Sequence, residues 1–90
     1  MILSAGKYHF YITYSSDALP DVQIGNWDSF SVAKSIVLTA GPLFGTGGKL
    51  KEIRGSFFIP KNLAHNNFEI RTFFLGHNNL MVKSISIIKD

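Results

Sequence analysis

Residues 67–88, NFEIRTFFLGHNNLMVKSISII, decide the fold prediction, because two strand-like runs flank a Gly-His-Asn-Asn turn. In the first run every second residue from Phe68 to Phe74 belongs to one mostly apolar parity, which is the period of a β-strand. In the second run the apolar parity changes at Lys83 and Ser84, and a phase change of this kind is typical of a β-bulge. The stretch therefore predicts a terminal β-hairpin with a bulge in its second strand.

The composition is that of one small packed domain spanning residues 1–90. Hydrophobic residues make up 46% of the chain and charged residues only 17%, which is too apolar for disorder. There are no cysteines, so disulfides and thiolate metal sites are excluded. Residues 1–10 contain no apolar run long enough for a signal peptide or a membrane span, so we expect no membrane insertion. The chain is expected to be cytoplasmic, unless it is a fragment of an exported extracellular or cell-surface protein.

The formal net charge of +3 does not indicate a charged partner. The chain has nine Lys and Arg residues and six Asp and Glu residues. The basic residues are spread singly along the chain except at Lys49, Lys51 and Arg54. Contact with nucleic acid would require a basic stripe interleaved with aromatic residues. We therefore expect no nucleic-acid binding.

The rest of the chain adds short strands separated by turns. Residues 40–49 are glycine-rich, but Leu43 and Leu50 stand where the phosphate-binding patterns require other residues. A short helix is the competing interpretation for residues 32–40, whose strand would turn Val32, Ile36 and Leu38 inward. The absence of a helix-length amphipathic segment predicts an all-β fold, an antiparallel two-sheet β-sandwich. Besides the terminal hairpin, the predicted elements are strands at residues 7–14, 22–25, 32–40 and 49–60, a loop at residues 25–30 that carries Trp27, and a glycine-rich loop at residues 40–49.

Four segments resemble the galactose-binding-like jelly-roll modules, a group that includes many carbohydrate-binding modules. The resemblance implies a jelly-roll β-sandwich that acts as an accessory domain of a glycan-handling protein. Relative to those modules the chain lacks one or two N-terminal strands, which implies an unpaired sheet edge. We therefore expect either a fragment of a larger protein or a homodimer that covers the edge. The segments are AGKYHFYITY at residues 5–14, GSFFIP at 55–60, FEIRTFFLG at 68–76 and LMVKSISI at 80–87.

Trp27, with its neighbours Asn26 and Asp28, is the first candidate ligand site. A sugar presents an apolar C–H face that stacks on an indole ring, and its hydroxyls bond planar amides and carboxylates. The three residue types therefore favour carbohydrate binding. The alternative is that Trp27 anchors its loop to the edge of the core.

Outward-facing polar residues on three strands form a second candidate. The tripeptide His-Asn-Asn, which occurs at residues 65–67 and 77–79, forms a third. The alternative to the second candidate is that Glu52 or Glu69 forms cross-strand ion pairs with Arg54 and Arg71. The alternative to the third is turn formation, because Asn tolerates the left-handed conformation. Strand reversal further predicts that the Trp27 loop and residues 65–67 share one end of the sandwich, and that residues 17–21, the glycine-rich loop and residues 77–79 share the other. The second candidate comprises His9, Tyr11, Thr13, Glu52, Arg54, Ser56, Glu69, Arg71 and Phe73, and the third is led by His65 and Asn66.

No cofactor or metal is expected. Calcium requires six to eight oxygen ligands, and Asp17, Asp21 and Glu69 are too sparse to supply them. The strand between His65 and His77 spans about 26 Å, so the two rings cannot share a metal.

No pattern of nucleophile and base indicates an enzyme. The sequence therefore favours a non-catalytic module whose partner is a carbohydrate or glycan. The alternative is a structural or assembly domain, of a surface or phage-type particle, that contacts protein chains through an exposed sheet edge.

Overall fold

The regular structure of the described residues is antiparallel β-strand, as predicted, except for one short helical turn. The computed structural model describes residues 1–76 and 78–90, and these contain a single turn of 3₁₀ helix at Lys61–Leu63. Within the same residues no helix has the length and apolarity needed to cross a membrane. The strands are β1 (Ile2–Leu3), β2 (Gly6–Ser15), β3 (Gln23–Ser31), β4 (Ile36–Phe44), β5 (Lys51–Ile59), β6 (Asn66–Phe74) and β7 (Met81–Lys89).

The strands form two sheets that face each other. The four-stranded sheet has the order β1-β6-β3-β4, and the three-stranded sheet has the order β5-β2-β7. β3 lies opposite β2, as the edge-to-face contact of the Trp27 and Phe10 rings shows, with centroids 5.0 Å apart. β4 lies opposite β5, because the Oγ1 of Thr39 donates to the carbonyl of Ser56 at 3.0 Å. The predicted two-sheet β-sandwich is thereby confirmed.

The inward face of β2 forms the centre of the core. Tyr8, Phe10, Ile12 and Tyr14 alternate along the strand and are all buried, as their parity predicts. Phe10 lies directly over Gly55 of β5, where a Cβ atom would come within 2.2 Å of the ring. A glycine is therefore required at this position to admit the aromatic ring.

The bulge predicted near the C-terminus is confirmed. β7 pairs with β2, and the pairing passes from Thr13 opposite Ser84 to Tyr14 opposite Val82. Lys83 is thus the extra residue of the bulge. The bulge keeps both Val82 and Ile85 on the side that faces the core.

The predicted terminal hairpin is wrong. β6 pairs with β3 and β1, whereas β7 pairs with β2, so the two runs belong to different sheets. β6 ends at Phe74 and β7 begins at Met81, so six residues separate the two strands, more than the usual hairpin loop of two to five residues. Strands in two facing sheets show the same alternation as two paired strands, since both turn one face to a shared core.

The predicted boundaries around Trp27 are also wrong. β3 runs unbroken through the expected loop at residues 25–30, and β4 extends into the expected glycine-rich loop as far as Phe44. Val32, expected to face inward, lies in the β3–β4 turn and is 38% exposed. Pro42 is accommodated because β4 is an edge strand, where a missing N–H costs no ladder hydrogen bond.

The links at one end of the sandwich meet as predicted. The backbone N–H of Gly48 donates to the carbonyl of Ser16 at 2.8 Å, and the N–H of Asp17 donates to the Oδ1 of Asn79 at 2.8 Å. Residues 17–21, the end of the glycine-rich segment and Asn79 therefore share this end. His77 lies outside the described residues.

Candidate functional site

The outer face of the four-stranded sheet carries three rows of paired side chains. Strand alternation turns Asn26, Asp28 and Phe30 of β3 outward, while Trp27 between them turns towards the core. Each outward residue of β3 has outward neighbours on β6 and β4 in the same row. The rows are Phe73-Asn26-Pro42, Arg71-Asp28-Ala40 and Glu69-Phe30-Val37.

Arg71 is fixed at the centre of this face by charge and by stacking. Its Nε and Nη2 donate to the two carboxylate oxygens of Asp28 at 2.8 and 2.6 Å. Its guanidinium carbon lies 3.7 Å from the ring centroid of Phe30 and 5.1 Å from that of Phe73. The hydrogen bonds that the guanidinium donates to Asp28 raise the pKa of Arg71 above its ordinary value. The pair is therefore a rigid and neutral unit of the face.

A shallow depression of about 400 Å³ lies beside the Asp28–Arg71 pair. We call it the outer-face depression. Phe73 is 43% exposed and Val37 is 50% exposed, so aromatic and aliphatic surface is open to a ligand. The residues that line it are Gln23, Asn26, Trp27, Asp28, Val37, Ala40, Gly41, Pro42 and Phe73.

Two side-chain amides border the depression. The Nε2 of Gln23 donates to the Oδ1 of Asn26 at 2.7 Å and to the carbonyl of Gly25 at 3.2 Å. The Nδ2 of Asn26 and the Oε1 of Gln23 form no hydrogen bond with residues 1–76 or 78–90. One donor and one acceptor group therefore remain for a ligand hydroxyl.

Trp27 is a packing residue rather than the stacking platform of a loop. Besides its contact with Phe10, its indole covers Gly41 of β4, where a Cβ atom would lie 2.7 Å from the ring. The side chain of Trp27 points away from those of Asn26 and Asp28, because neighbouring residues of a strand point to opposite faces, although all three residues line the outer-face depression. The predicted grouping of a Trp27 loop with residues 65–67 at one end of the sandwich is also wrong, because Trp27 lies within β3 and not in a loop.

Tyr11 and Arg54 lie on the other side of the sandwich. They are directly paired on the outer face of the three-stranded sheet, where Thr13 is likewise paired with Glu52. β2 and β5 are neighbours in the three-stranded sheet, but Arg71 belongs to β6 in the four-stranded sheet. The single nine-residue polar face predicted from three strands is therefore wrong.

His65 and Asn66 lie at the far end of β6 and serve the turn. The Nδ2 of Asn66 donates to the carbonyls of Leu63 and Ala64 at 3.1 and 3.3 Å, and His65 has a positive φ of 62°. Asn66 is separated from Phe73 by seven residues of strand, about 23 Å. They do not join the outer-face depression, and turn formation accounts for them.

Sequence reasoning missed the contributions of Gln23, Val37, Ala40 and Pro42 to the depression. The available signal was the alternation of residues 23–31, which places Asn26 and Asp28 on one face if the segment is taken as an uninterrupted strand. The low β-propensity of Asn and Asp concealed this alternation. Among the described residues, no group of three or more His, Cys, Asp and Glu side chains is placed to hold a metal ion.

Comparisons with known proteins do not assign this chain to a family. It matches no protein-family model, and no curated protein or solved structure is similar to it at a significant level. The all-β two-sheet architecture is compatible with the resemblance to jelly-roll modules. The functional conclusion therefore depends on the geometry of the surface.

Proposed function

We propose that this chain is a non-catalytic β-sandwich module that binds carbohydrate in the outer-face depression. The observation that supports this most strongly is the exposed ring of Phe73 standing in one row with Asn26. A sugar ring can stack its C–H face on an aromatic side chain while its hydroxyls bond the neighbouring amides. Phe73 thus takes the role that the sequence suggested for Trp27.

The polar groups of the depression suit a neutral sugar. A hydroxyl both donates and accepts hydrogen bonds, and the free groups of Asn26 and Gln23 offer one of each kind. Asp28 and Arg71 neutralise each other, so the site has no unbalanced charge for an acidic or basic ligand. The volume of about 400 Å³ is at the lower end of the range for small-molecule sites and suits a mono- or disaccharide better than a long chain.

The proposed role is that of an accessory domain of a glycan-handling or surface protein. This follows from the resemblance to galactose-binding-like jelly-roll modules, which the two-sheet architecture supports at the level of fold class. Such a module contributes binding, and any reaction on the glycan would belong to another domain. A weak affinity is expected, because the depression is shallow and open.

Calorimetric titration with a panel of neutral disaccharides tests the proposal. We expect at least one disaccharide, among lactose, maltose, cellobiose and N-acetyllactosamine, to bind the wild-type chain. Phe73→Ala is expected to weaken that binding about tenfold, which corresponds to about 1.4 kcal/mol. Phe58→Ala is the matched control, because Phe58 is 56% exposed on the outer face of the other sheet. Absence of binding across the panel, or an equal loss in both variants, would contradict the proposal.

A further inference from the structure

A second depression, of about 470 Å³, lies against the outer face of the three-stranded sheet. Arg54, Ser56 and Phe58 occupy alternate outward positions of β5, and Lys7 of β2 pairs with Phe58. The row of Ser56 therefore lies between the rows of Lys7 and Arg54, about 7 Å along the strands from each. We call this feature the cationic depression. The residues that line it are Lys7, Tyr8, Thr39, Arg54, Ser56, Phe57, Phe58 and Asp90.

The polar groups of the cationic depression are mainly hydrogen-bond donors that have no partner in the described part of the chain. Lys7 and Arg54 form no ion pair with residues 1–76 or 78–90. Within the same residues the hydroxyl of Ser56 forms no hydrogen bond, and only its carbonyl accepts one. Among the described lining residues Asp90 alone carries a carboxylate, and this group is hydrogen-bonded to the Nδ1 of His9. The depression therefore presents more donors than acceptors, which is the arrangement that an anion requires.

Phe58 adds an apolar surface beside these donors. The residue is 56% exposed, and it stands directly opposite Lys7 in the pairing of β2 with β5. The strands beneath it are held in place, because the neighbouring residues Tyr8 and Phe57 stack in the core with ring centroids 5.3 Å apart. A ligand that contacts both the donors and Phe58 has a charged group at one end and an apolar body at the other.

The charge of the lining favours a ligand with a single negative charge. Two cations, Lys7 and Arg54, and one carboxylate, Asp90, give the lining a formal net charge of +1. Glu52, the outward residue of β5 before Arg54, does not line the depression and forms no ion pair with Arg54. A carboxylate carries one negative charge at neutral pH, whereas a phosphate monoester carries nearly two. The carboxylate is therefore the better match.

We propose that the cationic depression binds a small organic carboxylate, with its charged group between Lys7 and Arg54 and its apolar body on Phe58. The planar guanidinium of arginine matches the two oxygens of a carboxylate, and hydrogen bonds to a charged acceptor are stronger than neutral ones. The volume lies within the range of about 300–1,000 Å³ that is usual for small-molecule sites. This inference is independent of carbohydrate binding, which uses the outer face of the other sheet.

Titration of the ¹⁵N-labelled chain with 3-phenylpropanoate, followed by amide chemical shifts, tests the inference. We expect saturable shifts that are largest at Arg54, Ser56 and Phe58. The neutral ligand 3-phenylpropanamide has nearly the same shape and should bind at least fivefold more weakly, because it lacks the charge that Lys7 and Arg54 contact. The doubly charged 2-phenylethyl phosphate should bind no more tightly than the carboxylate. This comparison of ligands depends on no protein variant.

Two variants with the same change in net charge separate local contact from the overall charge of the chain. Arg54→Gln should weaken the binding of 3-phenylpropanoate about fivefold. Lys49→Gln is the matched control and should leave the affinity unchanged, since Lys49 is exposed in the β4–β5 link outside the depression. The inference is overturned if 3-phenylpropanoate gives no saturable shifts, if the amide binds as well as the carboxylate, or if both variants weaken binding equally. Tighter binding of the phosphate would overturn the assignment to a carboxylate.

Discussion

The substitution Gly55→Ala is expected to destabilise the fold, although a glycine within a β-strand is ordinarily a weak point. A Cβ atom at residue 55 would stand 2.2 Å from the Cζ of Phe10, where non-bonded carbons prefer about 3.5–4.0 Å. The ring cannot move aside freely, because Phe10 has no exposed surface and packs between Trp27 and Phe57. The added methyl therefore has to displace the centre of the core.

The magnitude follows from two opposed effects. Replacing a strand glycine by alanine in open space stabilises a protein by roughly 0.5–1 kcal/mol through backbone entropy. Inserting a carbon atom into a well-packed core costs about 1–3 kcal/mol, and the short approach to Phe10 places Gly55→Ala near the upper end. We expect a net loss of about 1–2.5 kcal/mol in the free energy of unfolding. For a domain of this size the melting temperature falls by about 4–8 °C for each kcal/mol.

Urea denaturation followed by circular dichroism and by Trp27 emission measures this loss. Ser56→Ala, at the exposed neighbour of Gly55 in β5, is the control and should change stability by less than about 0.5 kcal/mol. In a double-mutant cycle with Phe10→Leu, the penalty of Gly55→Ala should shrink, because the smaller side chain leaves room. A Gly55→Ala protein that is more stable than wild type, or strictly additive effects in the cycle, would refute the close packing of Phe10 over Gly55.

Three further predictions concern single side chains. Burial raises the pKa of Tyr14, so its contribution to stability is complete below pH about 10 and is lost as pH rises through the folded-state pKa. Alkaline unfolding should therefore be steeper in wild type than in Tyr14→Phe, and equal pH profiles would contradict this. Trp27→Ala should lower the free energy of unfolding by about 2–4 kcal/mol in chemical denaturation, because the half-buried indole packs on Phe10; unchanged stability would show that the indole is not a packing residue. Arg71→Lys should lower the melting temperature more than Arg54→Lys does, since lysine cannot reproduce a two-pronged, stacked contact; equal effects would count against the rigid ion pair.

Alternation in the sequence predicted the strands whose two faces have consistently different environments. β2 and β5 agree with the pattern within one or two residues, and the phase change at Lys83 correctly located a bulge. The same pattern failed for the pairing of β6 with β7. Alternation reports which side chains are buried, and a strand in the facing sheet buries the same parity as a strand in the neighbouring position.

Only part of the candidate site was predicted, because alternation identifies outward residues but does not give the order of the strands in a sheet. Asn26, Asp28 and Arg71 were all identified from their chemistry, and the structure brings them together on one face. Asp28 and Arg71 are 43 residues apart in the chain, so their pairing depends on the strand order of the sheet. Trp27 was wrongly placed in a loop because its neighbours Asn26 and Asp28 disfavour strands, which concealed the alternation that turns the indole inward.

The central claim is that the outer face of the four-stranded sheet binds carbohydrate. Mapping of amide chemical shifts in the ¹⁵N-labelled chain during saccharide titration tests it most directly. The predicted result is a saturable set of shifts that is largest at Asn26, Ala40 and Phe73, with little change at Tyr11 and Arg54 on the opposite face. Shifts centred on Tyr11 and Arg54, or no saturable shifts with any saccharide of the panel, would contradict the claim.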